Sequence, residues 1–257
     1  MRVAFRPRLE GWERFPSDRP FLVVANHSGG GAADIMCLTA LWFGRFGGER
    51  PITGMANPSG FFLPGVSRFL RGVGAIPSTR AAAEEALAQG LPVIVFPGGD
   101  HESYRPVWQA RRVNLAGRKG FLRLARQARV PILPLGIYGS HYTLPILFRS
   151  RVLALLPRVV VGAKRYPLSL TGLVGAVLIA CWLGPSLGIV WTALLAYLWI
   201  VTPIASNLPV IPWSVRIRVG ELLEPEELFQ KPDDEGLAEA YVRVETAIQG
   251  LVDAAVS

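Results

Sequence analysis

The sequence predicts an α/β fold: a mainly parallel sheet flanked by helices, with an apolar helical hairpin inserted late in the chain. Three observations carry this expectation. Short apolar runs stop abruptly at glycine-bearing turns, as buried parallel strands do. Amphipathic helical stretches separate those runs. From Tyr166 to Val215 the chain carries no Asp, Glu, Lys or Arg at all.

The totals set the class. The 257 residues are enough for one well-filled α/β domain with a small appendage. The hydrophobic fraction is 51% and the mean hydropathy +0.34, while charged residues make up only 18%. A net charge of +8 on so apolar a chain suits an anionic membrane surface better than nucleic acid, because the basic residues are scattered and no nucleic-acid motif is present. Cys37 and Cys181 sit in apolar runs without metal-ligand spacing, so each reads as a buried thiol of a cytosol-facing protein. The N-terminus has charge but no apolar stretch of the signal-peptide kind.

In chain order, residues 1–19 form an approach segment, and a strand is expected over 20–26. Ala33 to Arg45 repeats apolar residues at helical spacing, ended by Gly47-Gly48. A second strand fits Ile52–Ala56. Phe61 to Arg71 sets Phe62, Phe69 and Leu70 beside Arg68 and Arg71, which reads either as core packing with the arginines in solvent or as a surface lying at the lipid headgroup level, with packing the favoured expectation. Gly74–Pro77 is extended, and Ser78 or Thr79 caps a helix over Arg80–Gln89. Leu91–Phe96 is a buried strand, Gly117–Arg129 an amphipathic helix, and Val130–Ile137 the next buried strand.

The uncharged stretch holds two apolar runs, Leu168–Leu183 and Leu187–Thr202, split by Gly184-Pro185-Ser186. A spanning helix needs about 20 apolar residues, and each run falls slightly short. A transmembrane hairpin, a re-entrant hairpin and a buried core hairpin are all open on length. The lack of any charged face favours membrane insertion. Trp182, Trp191, Tyr197, Trp199 and Trp213 suit the interface, and basic residues on both flanks put both ends on the cytoplasmic side. The chain thus divides into a core over 1–165, the hairpin over 166–213, and a closing strand and C-terminal helix over 214–257. The strand is expected at Ser214–Gly220 and the helix at Gly236–Leu251.

The chemistry gathers at the ends of two strands. The first run ends in Asn26-His27-Ser28-Gly29-Gly30-Gly31, with Asp34 at the following helix. A His beside a carboxylate is the minimal general-base pair, because the carboxylate fixes the tautomer and stabilises the imidazolium. A polar strand end with a flexible turn is the plainer alternative. The third run leads into Pro97-Gly98-Gly99-Asp100-His101-Glu102.

Together with Val130-Pro131-Ile132-Leu133-Pro134, these segments resemble, in order and spacing over about residues 20–145, the glycerolipid/lysophospholipid acyltransferase superfamily. Gly117-Arg118-Lys119-Gly120-Phe121 is similar to its diacylglycerol-acyltransferase-like branch. The resemblance implies a membrane-bound enzyme moving a fatty acyl group from acyl-CoA or acyl carrier protein to a lipid hydroxyl. It implies His27 as base and Asp34 as its orienting partner. Gly98 and Gly99 would offer backbone amides to the oxyanion, and Arg80, His101, Glu102 and Arg118 would contact substrate. An activated thioester needs neither a metal nor a cofactor beyond the acyl donor itself. No G-x-S-x-G elbow supports a serine esterase.

Two departures matter. Six residues, Ser28 to Ala33, separate His27 from Asp34 where the family has four, so the glycines must loop out, or Asp100 or Glu102 must serve instead. In the third block Gly98 and His101 stand where the common pattern has Glu and Arg. Losing that bidentate clamp favours a neutral acceptor over lysophosphatidate. Arg105, Arg111, Arg112 and Arg118 read as solvated surface charges that could still hold phosphate or the CoA diphosphate, and His141 as a loop-packing residue. A catalytically silent lipid-binding protein and an acyl hydrolase are the rival readings.

Overall fold

A computed structural model describes residues 2–28, 30, 33–62, 64–202, 206–231 and 233–256. Nine strands are found among them: β1 (Arg8–Glu10), β2 (Leu22–Ala25), β3 (Thr53–Ala56), β4 (Ala75–Pro77), β5 (Val93–Val95), β6 (Ile132–Tyr138), β7 (Ile146–Ser150), β8 (Tyr166–Ser169) and β9 (Arg216–Val219). Seven form one sheet in the order β1-β9-β6-β2-β5-β3-β4. The five strands from β6 to β4 are mutually parallel, while β9 runs antiparallel to β6. The mainly parallel sheet is therefore as the sequence implies.

Both faces of the sheet are covered, and the strand period of two assigns the residues. Leu22 and Val24 face one cluster with Val93, Val95 and Ile132, roofed by the helices Arg80–Ala88, Gly120–Ala128 and Asp234–Val256. Val23 and Ala25 face the other with Leu133, Leu135 and Ile137, under Cys37, Leu38 and Trp42 of the helix Ala33–Phe46. Continuous burial of β2 and of nearly all of β6 explains why these strands show no polar alternation. Thr79 caps its helix by accepting from the Ala82 amide.

Four expectations are corrected. The approach segment contains the edge strand β1, three residues too short to show a period, paired with β9. The ribbon β7–β8 lies outside the main sheet and takes up the start of the uncharged stretch. The segment around Phe61–Arg71 does not pack into the core: its helix Pro64–Gly72 buries no residue, and Phe62 and Phe69 are 82% and 67% exposed. It lies beside β4, the edge strand of the sheet. Cys37 is buried as expected, but Cys181 is exposed.

The apolar stretch is helical over Leu170–Val201 and breaks at Gly188, whose φ of 71° and ψ of 170° are outside any helix. Two limbs then fold back on each other. In a continuous helix Gly175 and Trp199 would be roughly 36 Å apart at 1.5 Å per residue. Instead a Cβ on Gly175 would collide with the Trp199 ring. The ends meet where Asn207 donates to the Tyr166 hydroxyl (3.0 Å), beside the Ser169–Ser206 hydrogen bond. The limbs are not core: Val177, Trp182, Ile189, Val190 and Trp191 are all more than half exposed. The buried-core alternative for the hairpin is excluded.

Candidate active site

β2 ends at Ala25, and the next residues lie on the carboxyl edge of the parallel strands, where open α/β sheets place their sites. Asn26 bridges to β6 as a strand would. Its side chain donates to the Ile137 carbonyl (2.8 Å) and accepts from the Ile137 amide (2.7 Å), extending the ladder by one rung. That fixes the chain just before His27. Following the alternation, His27 continues on the side of Val23 and Ala25, the side covered by the helix Ala33–Phe46.

Asp34 stands in the first turn of that helix and is fully buried. Its Oδ2 lies 2.8 Å from His27 Nδ1 and also accepts from the Ser28 amide at 2.8 Å, while Oδ1 accepts from the Ile35 amide. The Ser28 and Ile35 amides fix the position of the carboxylate at the helix N-terminus, and it in turn directs the His27 proton to Nδ1. The imidazole stacks on Phe96 at 4.4 Å between ring centres, and its side chain is 16% exposed. Nε2 makes no hydrogen bond among the described residues, which leaves its lone pair for a reactant. Burial works to lower the His27 pKa, but the charge and hydrogen bond of Asp34, with the charge of Glu102, raise it above its ordinary value.

Glu102 sits on the opposite side of His27, from the short helix Gly99–Ser103. It is fully buried, and its two oxygens accept from the backbone amides of His27 (2.9 Å) and Asn114 (3.0 Å). Burial pushes its pKa up to about 7, against the charge of Arg105 and those two bonds. Gly98 makes this approach possible: a Cβ there would overlap the Glu102 side chain and lie 2.9 Å from the Asn114 carbonyl. The choice among acidic partners for the imidazole is thus resolved geometrically. Asp34 meets the ring, Glu102 meets the backbone, and Asp100 pairs with Arg118 at 3.1 Å.

The other expected residues are distributed unevenly. Arg118 binds the Pro97 carbonyl (3.0 Å) and lies against Gly99, bracing the glycine turn. The Gly99 amide donates to the Phe96 carbonyl (3.0 Å) and so is already engaged. His101 is half-buried beside these groups. Arg80 follows β4 on the same sheet edge but three strands from β2, with its guanidinium on Glu84 at 2.7 Å. Of the glycine run expected to loop out, Gly30 is described, in the left-handed region, and Gly29 and Gly31 lie outside the described residues. Among the described residues no cluster of three His, Cys, Asp or Glu is placed to hold a metal ion.

Two features escaped the sequence. Arg105 is not a surface charge but 4% exposed, 3.5 Å from Glu102. Ser140 and His141 are buried behind the site, with Ser140 hydrogen-bonded to Ser28, and burial with the charge of Arg105 holds His141 down to about 3. Nothing in the local sequence distinguishes them from loop residues.

The family model described as Acyltransferase matches residues 6–138, which include β1 to β6, His27, Asp34 and Glu102. The chain belongs to the glycerolipid acyltransferase superfamily. An uncharacterized protein of Mycobacterium tuberculosis is 31% identical over 152 residues, 59% of this chain and 42% of that one. The human "DGAT1/2-independent enzyme synthesizing storage lipids" is 31% identical over 133 residues, 49% of this chain and 38% of its own. The matches span about two-fifths of the length of these curated relatives. Among solved structures, the acyltransferase fold is shared with the 1-acyl-sn-glycerophosphate (LPA) acyltransferase PlsC from Thermotoga maritima. The TM-score is 0.54 with 20% identity, covering 97% of this chain and 73% of that one.

Proposed function

We propose that this acyltransferase moves a fatty acyl group from the thioester of acyl-CoA or acyl carrier protein to a lipid hydroxyl, with His27 as general base. The observation that carries the reading is the buried Asp34 at 2.8 Å from His27 Nδ1, with Nε2 free of hydrogen bonds among the described residues. A lipid hydroxyl is too weakly acidic to attack unaided. Nε2 takes its proton as the oxygen adds to the thioester carbonyl, and Asp34 stabilises the imidazolium so formed. The tetrahedral intermediate collapses with cleavage of the C–S bond, and the proton held on His27 goes to the departing thiolate. The enzyme ends as it began, having formed one ester and released one thiol.

The acceptor is a glycerolipid or a related lipid alcohol. The human relative's name describes storage-lipid synthesis, and at positions 98 and 101 this chain has Gly and His. Both fit a neutral acceptor such as mono- or diacylglycerol.

The enzyme works at a membrane surface. The limbs of Leu170–Val201 are apolar, with mean hydropathy 2.1 over their most apolar 18 residues, and face outward. The limb beyond Gly188 is roughly 20 Å long at 1.5 Å per residue, short of the roughly 30 Å hydrocarbon core, so the hairpin dips into the cytoplasmic leaflet and returns. Arg149, Arg151, Arg158, Lys164 and Arg165 before it, and Arg216 and Arg218 after it, keep both ends and the site at the cytoplasmic face. The exposed Phe62 and Phe69 of the segment near β4 provide a second apolar contact with lipid.

The experiment is mass spectrometry of products from purified full-length protein, mixed acyl-CoAs and mixed lipid acceptors. A new acyl ester formed in step with free thiol supports the proposal. Lipid binding with no thiol release would make it a silent binder, and free fatty acid without an ester would make it a hydrolase.

A further inference from the structure

Beyond Glu102, on its Arg105 side, lies a cavity of about 310 Å³ that the acyl-transfer chemistry does not use. Its lining includes Arg105, Arg112, Arg149, Arg165, His101 and Gln109, and among the described residues no carboxylate. Arg105 is the informative member. It is 4% exposed, yet none of its three guanidinium nitrogens makes a hydrogen bond among the described residues. Its ionic partner is Glu102, at a long 3.5 Å, whose two oxygens already accept backbone amides. A buried guanidinium whose five donors make no hydrogen bond is costly to hold in place. The cavity in front of it supplies three more arginines rather than an acid. The field is felt nearby: burial and then the charge of Arg149, with those of Arg118 and Arg105, hold the His101 pKa down against Asp100.

The placement adds a second reason. Arg149 is on β7, paired with Pro167 of β8, and Arg165 immediately precedes β8, the strand that runs into the hairpin at Leu170. The arginines therefore stand between the catalytic edge and the membrane-facing limbs. They are distinct from Arg80, which sits three strands from β2, while His101 of the third motif lines the same cavity beside them.

We propose that this cavity binds a phosphate or diphosphate group, with Arg105 as its buried floor and Arg112, Arg149 and Arg165 as its rim. The group belongs either to the nucleotide end of an acyl-CoA or to the headgroup of a phospholipid substrate. This rests on the acyl-transfer reading for the source of the anion, but not for the binding itself.

The test is calorimetric titration of the full-length protein in detergent with CoA, lysophosphatidate and inorganic pyrophosphate, none of which requires turnover. Wild type is compared with Arg105→Met and with the double variant Arg149→Gln/Arg165→Gln, whose rim positions lie away from the core. The double variant should retain the wild-type melting temperature and bind pyrophosphate at least about tenfold more weakly, as loss of charge-assisted hydrogen bonds implies. A parallel loss for CoA identifies the donor as the source, and for lysophosphatidate the lipid headgroup. Failure of wild type to bind any of the three, or unchanged affinity in the folded double variant, overturns the site. Acyl transfer, scored separately by thiol release, stands or falls independently of these affinities.

Discussion

His27 Nδ1 and Asp34 Oδ2 lie 2.8 Å apart although six residues separate the two in the chain. Neither end of the pair is free to drift. Asn26 ties the chain to β6 just before His27, and Asp34 is held by the Ser28 and Ile35 amides at the start of its helix. The wider spacing is absorbed between two anchored ends, so the contact survives it.

Asp34→Asn should keep the fold and lose most activity. The amide can still meet a neighbour, but it neither fixes the Nδ1 proton nor stabilises the imidazolium. A fall in kcat of about 10²-fold or more, with KM little changed, follows from the size of general-base catalysis. Steady-state thiol release measures it.

The pH profile has a defined sign. His27 must be neutral to accept a proton, and Asp34 and Glu102 outweigh burial to raise its pKa. The acid limb of kcat/KM should therefore have its midpoint above 6.5 and fall off below it. Glu102, pushed up to about 7, titrates in the same range, so the limb reports the two together. In Asp34→Asn the midpoint should move to lower pH, because the main raising charge is gone. A profile unchanged by that variant would contradict the pairing.

Gly98→Ala should destabilise the protein and inactivate it. The added methyl would overlap Glu102 and press on the Asn114 carbonyl, which also bears on the amide of His27 through Glu102. Overpacking of this kind costs about 1–3 kcal/mol. Thermal unfolding checks the first effect, and thiol release the second.

The hairpin should be separable from the core. None of its described residues belongs to either of the two clusters that fill the sheet faces, and its ends meet at Ser169 and Ser206. Joining Ser169 to Ser206 by a short linker should give a folded core with a melting temperature close to wild type. That core should no longer remain with membranes on carbonate extraction. Aggregation of this variant, or its full retention on membranes, would show that the hairpin is not the anchor.

Much of the fold was legible because β2, β5 and β6 are buried on both faces and read as unbroken apolar runs. Edge elements were not. β1 is three residues long, and the ribbon β7–β8 mixes Arg149 with apolar neighbours, so no period emerges. The site was legible where strand ends meet glycine, at His27 and at Gly98-Gly99. It was illegible at Arg105, because an arginine's burial is decided by what the tertiary fold brings around it. The segment bearing Phe62 and Phe69 misled for the reverse reason: its aromatic residues are core-like in composition, but the sheet ends at β4 beside it.

The central claim is that His27 takes the proton of the attacking hydroxyl, and the most direct measurement is acyl transfer by purified His27→Ala in a single-turnover assay. Folding is to be verified by an unchanged melting profile. The account predicts a rate at least about 10²-fold below wild type, with acyl donor still bound. A folded His27→Ala enzyme that transfers the acyl group at the wild-type rate would contradict it.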